Sequence, residues 1–215
     1  MKKVLFFIIG ICILLYPSLS NLYNLKHQSQ VIDTYEEEIL DLDIDEHILA
    51  AMEYNTYLFN KNNRFHINKD EAIWYSSLLN VNDGMMGSIL IPKIKVSSAI
   101  YHGTSEDVLQ VAIGHLEGSS LPVGGMNTHA VLLGHRGLPS ARLFTDIDQL
   151  EIGDIFIINV FNQTLKYQVD LISIVPPNDY NPIQIEENKD YVSLITCTPY
   201  GVNTHRLIVR GIRIE

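Results

Sequence analysis

The sequence predicts a mainly β fold preceded by a helical N-terminal region, and three patterns carry that prediction. From Met86 onward, short apolar runs recur between Gly, Pro and Asn turns. From Lys26 to Asn60 the chain is polar, charged and free of Pro and Gly, a composition that permits helix. Ahead of both, Met1-Lys2-Lys3 precedes an uncharged apolar run from Val4 to Tyr16. These changes of character divide the chain into a membrane segment over 1–23, a helical region over 24–80 and a β domain over 81–215.

The leading run supports two readings. A cleavable signal peptide fits the short apolar core, with Ser18 and Ser20 as small residues flanking a cut. A signal anchor fits if the span continues through Pro17 and Leu19 to Leu22 and Tyr23, giving about twenty residues and an interfacial aromatic. Both leave Lys2 and Lys3 inside and export the rest; the anchor is the expectation carried forward. In the next segment Ile39, Leu42, Leu49, Met52 and Tyr57 mark one or two amphipathic helices, and the acidic runs Glu36–Glu38 and Asp41–Glu46 read as a solvated face. A polar break follows over Lys61–Lys69, then a short helix over Asp70–Leu79, and Asp83-Gly84 signals a turn.

The expected strands are Ser88–Ile91, Val96–Tyr101, Ala130–Leu133, Ile155–Val160, Leu165–Val175, Tyr191–Thr196 and Leu207–Ile214. Seven or eight strands at this spacing predict a sandwich or a closed barrel. Two helical inserts are expected, over Ser105–Val111 and over Ala141–Leu150 before Gly153.

Composition excludes several functions. A formal net charge of −10 leaves no basic surface to displace phosphate counterions, so no nucleic-acid partner is expected. The two cysteines, Cys12 and Cys197, are too few for a disulfide framework, and Cys12 lies inside the leading apolar run. The Cys and His residues lack the C-x-x-C and H-E-x-x-H spacings that hold zinc, so no metal is expected. Gly124-Gly125 lacks the lysine and the following helix of a phosphate loop, and no cofactor is expected.

Chemistry is most concentrated in the stretch from Leu194 to Arg206. As strands, the two apolar runs flanking Pro199 and Gly201 place Ser193, Ile195 and Cys197 on one face, and Arg206, Ile208, Arg210 and Ile212 on one face. Paired as a hairpin, they set a thiol opposite a guanidinium. A free thiol is only about 3% thiolate at pH 7, so a nucleophilic Cys197 needs a partner, usually histidine. Eight histidines are present. His135, framed by glycines at the end of Ala130–Leu133, is one candidate; His102, His115 and His129, read as loop or strand-edge residues, are others. Strand parity turns His205 away from Arg206.

Longer motifs decide among these. Thr196-Cys197-Thr198-Pro199-Tyr200-Gly201-Val202-Asn203-Thr204-His205-Arg206-Leu207 resembles the catalytic stretch of class C, pilin-polymerising sortases. So do Ile100-Tyr101-His102-Gly103-Thr104-Ser105, Gly114-His115-Leu116-Glu117-Gly118 and the run from Gly134-His135-Arg136-Gly137 to Phe144. The resemblance covers about Tyr75 to Ile214 and implies an eight-stranded sortase-type β-barrel with short helices. It implies His135, Cys197 and Arg206 as the catalytic set, with Thr196 helping to orient the oxyanion. The implied reaction cleaves a Leu-Pro-x-Thr-Gly-like signal between Thr and Gly and transfers it to a pilin lysine, on the outer face of the membrane. Two departures stand out. The Asp-Pro-aromatic lid common in this class is missing between Asn60 and Tyr75, leaving Phe65 and Trp74 as candidate plugs of a degenerate lid. The second membrane helix often found after the barrel has no counterpart before Glu215, so either the N-terminus alone holds the protein or the chain continues. The competing readings are a sortase that anchors single proteins to wall peptide, a non-catalytic binding module on the same barrel, and a papain-like hydrolase, which would place its Cys at a helix start.

Overall fold

The computed structural model describes residues 2–81 and 83–215; Met1 of the leading segment and Asn82 of the stretch joining the helical and β regions lie outside the described residues. Helix α1 runs unbroken over Lys2–Glu38. Its first half is long and apolar enough to cross a membrane, with its side chains exposed on all sides. Its second half docks on the β region through two polar side chains. Gln28 donates to the Val111 carbonyl (3.0 Å) and accepts from the Ala99 amide (2.7 Å). The Tyr35 hydroxyl donates to the Met86 carbonyl (2.9 Å) and accepts from the Phe161 amide (3.0 Å).

Helix α2 (Ile44–Asn60) starts where the Asp43 side chain accepts from the Glu46 amide at 3.1 Å. It buries Ile48, Ala51, Asn55 and Leu58 along one face, at helical spacing. Asn55 is polar on that face because its amide clamps the Leu121 backbone, accepting at 2.6 Å and donating at 3.0 Å. Helix α3 (Lys69–Ser77) opens with a reciprocal capping box between Asn68 and Glu71.

Eight strands follow: β1 (Met85–Ile91), β2 (Val96–His102), β3 (Ile113–His115), β4 (Thr128–Leu133), β5 (Ile155–Val160), β6 (Gln163–Val175), β7 (Asp190–Thr198) and β8 (His205–Arg213). They close into a barrel in the order β1-β2-β3-β4-β7-β8-β6-β5. The pairs β2–β3 and β4–β7 are parallel and the others antiparallel. A short helix α4 (Glu106–Leu109) bridges β2 and β3.

Strands β4, β7 and β8 are buried on both faces. Ala130, Leu132, Val192, Leu194, Leu207 and Val209 point into the barrel core. The alternate residues Val131, Ile195 and Ile208 build a second apolar cluster on the outside, together with Phe65, Leu116, Leu133, Val175 and Ile183. That outer cluster is the floor of the candidate site.

Four local expectations are corrected. Strand β3 is absent from the expected set because its three residues, one of them glycine, carry no readable alternation. Ala141–Leu150 is not a helix. Leu143 has φ +32°, and the segment proceeds by separate tight turns, with a single 3-10 turn over Ile147–Gln149. The burial of Phe144, Ile147 and Leu150 at helical spacing reflects these turns folding over the core. His115 and His129 are fully buried strand residues, not loop or edge residues. Finally, the helical stretch that begins before Lys26 is continuous with the leading apolar segment.

Candidate active site

Three adjacent strands end at one rim. On β7 and β8, Ile195 faces Ile208 and, two residues on, Cys197 faces Arg206 across the antiparallel pair. The thiol and the guanidinium therefore stand directly opposite each other on the outer face. On the other side of β7, parallel β4 brings Leu133 level with Ile195. The chain stays on β7 beyond that point, because the Gly134 amide donates to the Ile195 carbonyl (3.1 Å) and the Thr196 hydroxyl donates to the Gly134 carbonyl (2.7 Å). His135 follows one residue later, just past the end of β4 and at the same rim as the end of β7.

Thr196 lies beside this strand end. Its side chain is buried, pairs in register with Leu207, and spends its hydroxyl on holding the strand end before His135. Its place on the inward face turns its hydroxyl away from the Cys197 side. Gly134 is required beside it, since a Cβ there would meet the Phe144 ring at 2.7 Å.

The other histidines are committed elsewhere. His115 donates from Nε2 to the Ser120 carbonyl (2.8 Å), which leaves Nδ1 to accept from the Tyr75 hydroxyl (3.0 Å). His129 donates from Nδ1 to the Gln184 carbonyl (2.8 Å) and accepts at Nε2 from the Ser193 hydroxyl (2.8 Å). Burial pushes both imidazoles down to about 3, so they are neutral at ordinary pH. His102 has both ring nitrogens against backbone carbonyls, Gly84 at 2.9 Å and Leu78 at 2.8 Å. His205 lies one residue off the Arg206 face and is exposed. His135 alone of this group combines partial exposure with the rim of the outer groove.

His135 faces a carboxylate that the sequence reading missed. Its Nε2 lies 3.4 Å from Glu106 Oε2 on α4. A hydrogen bond from the Gln110 amide, together with the His135 charge and contact, holds the Glu106 carboxyl below its usual range. The signal was present in the sequence as an acidic residue following the Thr104-Ser105 helix start, but only the fold brings α4 to His135. Arg206 is aimed by its own loop, with Nη1 donating to the carbonyls of His205 (3.1 Å) and Asn203 (3.4 Å). Among the described residues no carboxylate pairs with it, so its remaining donors stay free for a substrate oxygen.

The β7–β8 loop and the His135 loop are locked by one contact. Gly137 has φ +81°, and a Cβ there would sit 2.2 Å from the Tyr200 ring. Only glycine both adopts that backbone and admits the ring.

The candidate plugs occupy different places. Trp74 is half-buried, packing edge-on against Tyr54 (5.0 Å) and beside Tyr57 (5.4 Å), between α3 and α2. Phe65 lies on the outer apolar floor with its ring 5.0 Å from Tyr180. Its segment is anchored by the buried Arg64, whose guanidinium donates to the Ile183 carbonyl and is pushed down to about 10 by burial. The backbone there presses on Gly118, where a Cβ would meet the Arg64 carbonyl at 2.7 Å. Both Cys12 and Cys197 are free thiols. Among the described residues there is no His, Cys, Asp and Glu cluster that could hold a metal.

Comparisons with known proteins agree with this fold. A family model described as the sortase domain matches residues 89–214. A crystal structure of sortase C1 from Streptococcus agalactiae is 48% identical, covering 86% of this chain and 98% of that one, with a TM-score of 0.83. Sortase C of Streptococcus pneumoniae, whose structure is described as informing catalysis and pilin substrate specificity, is 44% identical over 86% of this chain and 97% of that one, with a TM-score of 0.78. Sortase D of Bacillus subtilis is 30% identical over 131 residues, 60% of this chain and 63% of that protein. The chain thus spans about three fifths of the length of the curated relatives it matches.

Proposed function

The chain belongs to the sortase family, and from that premise we propose that it is a class C cysteine transpeptidase that builds pili. The observation that carries the reading is the placement of Cys197 opposite Arg206, with His135 on the neighbouring strand end, above an apolar floor. In this reading the Cys197 thiolate attacks the Thr–Gly carbonyl of a Leu-Pro-x-Thr-Gly-like signal. Arg206 donates to the developing oxyanion or the adjacent substrate backbone. The tetrahedral adduct collapses with cleavage of the C–N bond, and His135 gives its proton to the departing glycine amine. The resulting thioester is attacked by a pilin lysine. That amine, with a pKa near 10.4, arrives mostly protonated; it releases one proton to solvent before it attacks, and His135 takes the second as the isopeptide bond forms and the thiolate leaves. The outer apolar cluster suits the Leu-Pro end of such a signal, and Phe65 resting on it acts as a degenerate lid.

α1 is the anchor. Its exposed apolar half continues without a break into the docked half that carries Gln28 and Tyr35, which supports an uncleaved span with the barrel on the outer face of the membrane. The unit boundaries near residues 23 and 80 belong to the same proposal.

The test is a thioester assay by mass spectrometry with a sorting-signal peptide, with and without a pilin domain. The expected result is an adduct at Cys197, absent from Cys197→Ala, and resolved by pilin lysine. No adduct in the parent refutes the nucleophile. An adduct resolved by glycine oligomers and never by lysine assigns the chain to wall anchoring instead.

A further inference from the structure

A cavity of about 350 Å³ lies away from the catalytic rim, where α1 leaves the apolar span. This is within the size range of small-ligand pockets. One wall is α1 itself, through Asn21, Asn24 and Gln28; the others are the turn leading into β2 and the segment after the His135 loop. The two sides are tied together by the Arg142 amide, which donates to Asn21 Oδ1 at 3.0 Å. An apolar groove adjoins the cavity along the same helix, lined by Pro17, Leu22, Leu138 and Pro139.

Charge is unusual here. The whole chain carries −10, yet Lys93, Lys95 and Arg142 all border this cavity, and among the described residues Asp146 is the one carboxylate that does. Lys93 is offset by Glu151 and Asp154, each at 2.8 Å, and Arg142 shares its charge with Asp146 at 2.6 Å. Lys95 is exposed, sits in the left-handed region at φ +54°, and has no carboxylate partner among the described residues.

Depth supplies the occupant. About twenty residues of helix at ~1.5 Å each cover a hydrocarbon layer of ~30 Å. Counted from Val4, that length ends near Tyr23, so Asn21 and Asn24 stand at the level of the outer headgroups.

We propose that this crevice is a binding site for the phosphate headgroup of an anionic phospholipid, with Lys95 and Arg142 facing the phosphodiester and the Leu22–Leu138 groove facing its acyl chains. The site rests on the reading of α1 as an uncleaved anchor. It fixes the barrel's height and tilt at the membrane, because the segment it grips, 138–146, follows directly from His135–Gly137.

The test uses the full chain purified in detergent, measured by native mass spectrometry with phosphatidylglycerol and phosphatidylcholine. Retention of phosphatidylglycerol over phosphatidylcholine is expected, reduced roughly tenfold or more in Lys95→Gln/Arg142→Gln, since two cations near an anionic surface are removed. Thermal unfolding of the variant at the parent's temperature verifies that its fold is kept. Equal retention of the two lipids, or unchanged retention in the variant, overturns the site. Displacement of the lipid by millimolar inorganic phosphate overturns the lipid assignment in favour of a free-phosphate site. The intact mass in the same spectra separates the premises: loss of residues 1–20 refutes the anchor, whereas an intact chain without lipid refutes only the site.

Discussion

Lowering the pH from 7 to 5 should destabilise this protein through two fully buried histidines. His115 and His129 are fully buried, and each has both ring nitrogens engaged by fixed partners. Their folded pKa values are pushed down to about 3, against about 6.5 in the unfolded chain. Between those values the unfolded state binds more protons, so stability is full above the unfolded pKa and falls as pH drops below it. Integrated from pH 7 to 5, each histidine removes about 2 kcal/mol, or about 4 kcal/mol together. That is a large part of the ~5–15 kcal/mol that holds a typical domain. Glu117 and Asp190 act in the opposite sense, because burial raises their carboxyls. Urea unfolding at pH 5, 6 and 7 measures the effect, and the sole tryptophan, Trp74, packed between α2 and α3, reports it by fluorescence. His129→Gln should be less stable at pH 7 yet lose only about half as much on acidification. A parent whose stability changes by under about 1 kcal/mol, or a variant with the parent's pH slope, would refute the reasoning.

Three further outcomes are expected. Arg206→Ala should lower kcat/KM for thioester formation by about 10²–10³, the cost of one lost oxyanion donor, with Tm nearly unchanged because its side chain bonds only to its own loop. Gly137→Ala should lower both Tm and activity through the clash with Tyr200, and adding Tyr200→Ala should recover most of the loss, leaving about 1 kcal/mol of left-handed strain; failure of the second substitution to help would show that the ring is not the obstacle. Phe65→Ala should speed modification of Cys197 by a small thiol reagent several-fold if the aromatic covers the groove floor, whereas Trp74→Ala should lower Tm without changing that rate.

The candidate site was more legible than its surroundings. Alternation in two apolar runs is enough to pair Cys197 with Arg206, because a strand's period of two leaves no freedom once the hairpin register is set. His135 was one of several histidines on pattern alone and became specific through motif resemblance. The fold adds a physical reason, since His115 and His129 are consumed by buried hydrogen bonds and His102 by two carbonyls. Glu106 was invisible because its contact with His135 crosses from one loop helix to another strand end. The helix expected over Ala141–Leu150 failed for a related reason: apolar spacing reports which residues are buried, and a string of tight turns over a core buries the same residues.

By itself the sequence determined the local terms of this protein. They are the uncharged span after Lys3, the β alternation beyond Met86, the glycines that must bend, and a thiol and guanidinium placed to meet. Tertiary structure decided everything that depends on distant segments sharing one surface. It closed the barrel through the β1–β5 pair, put Thr196 behind the site and Phe65 over its floor, and set α1 against the segment that follows His135. Periodicity along a chain specifies which face a side chain takes; only closure of the sheet specifies what that face meets.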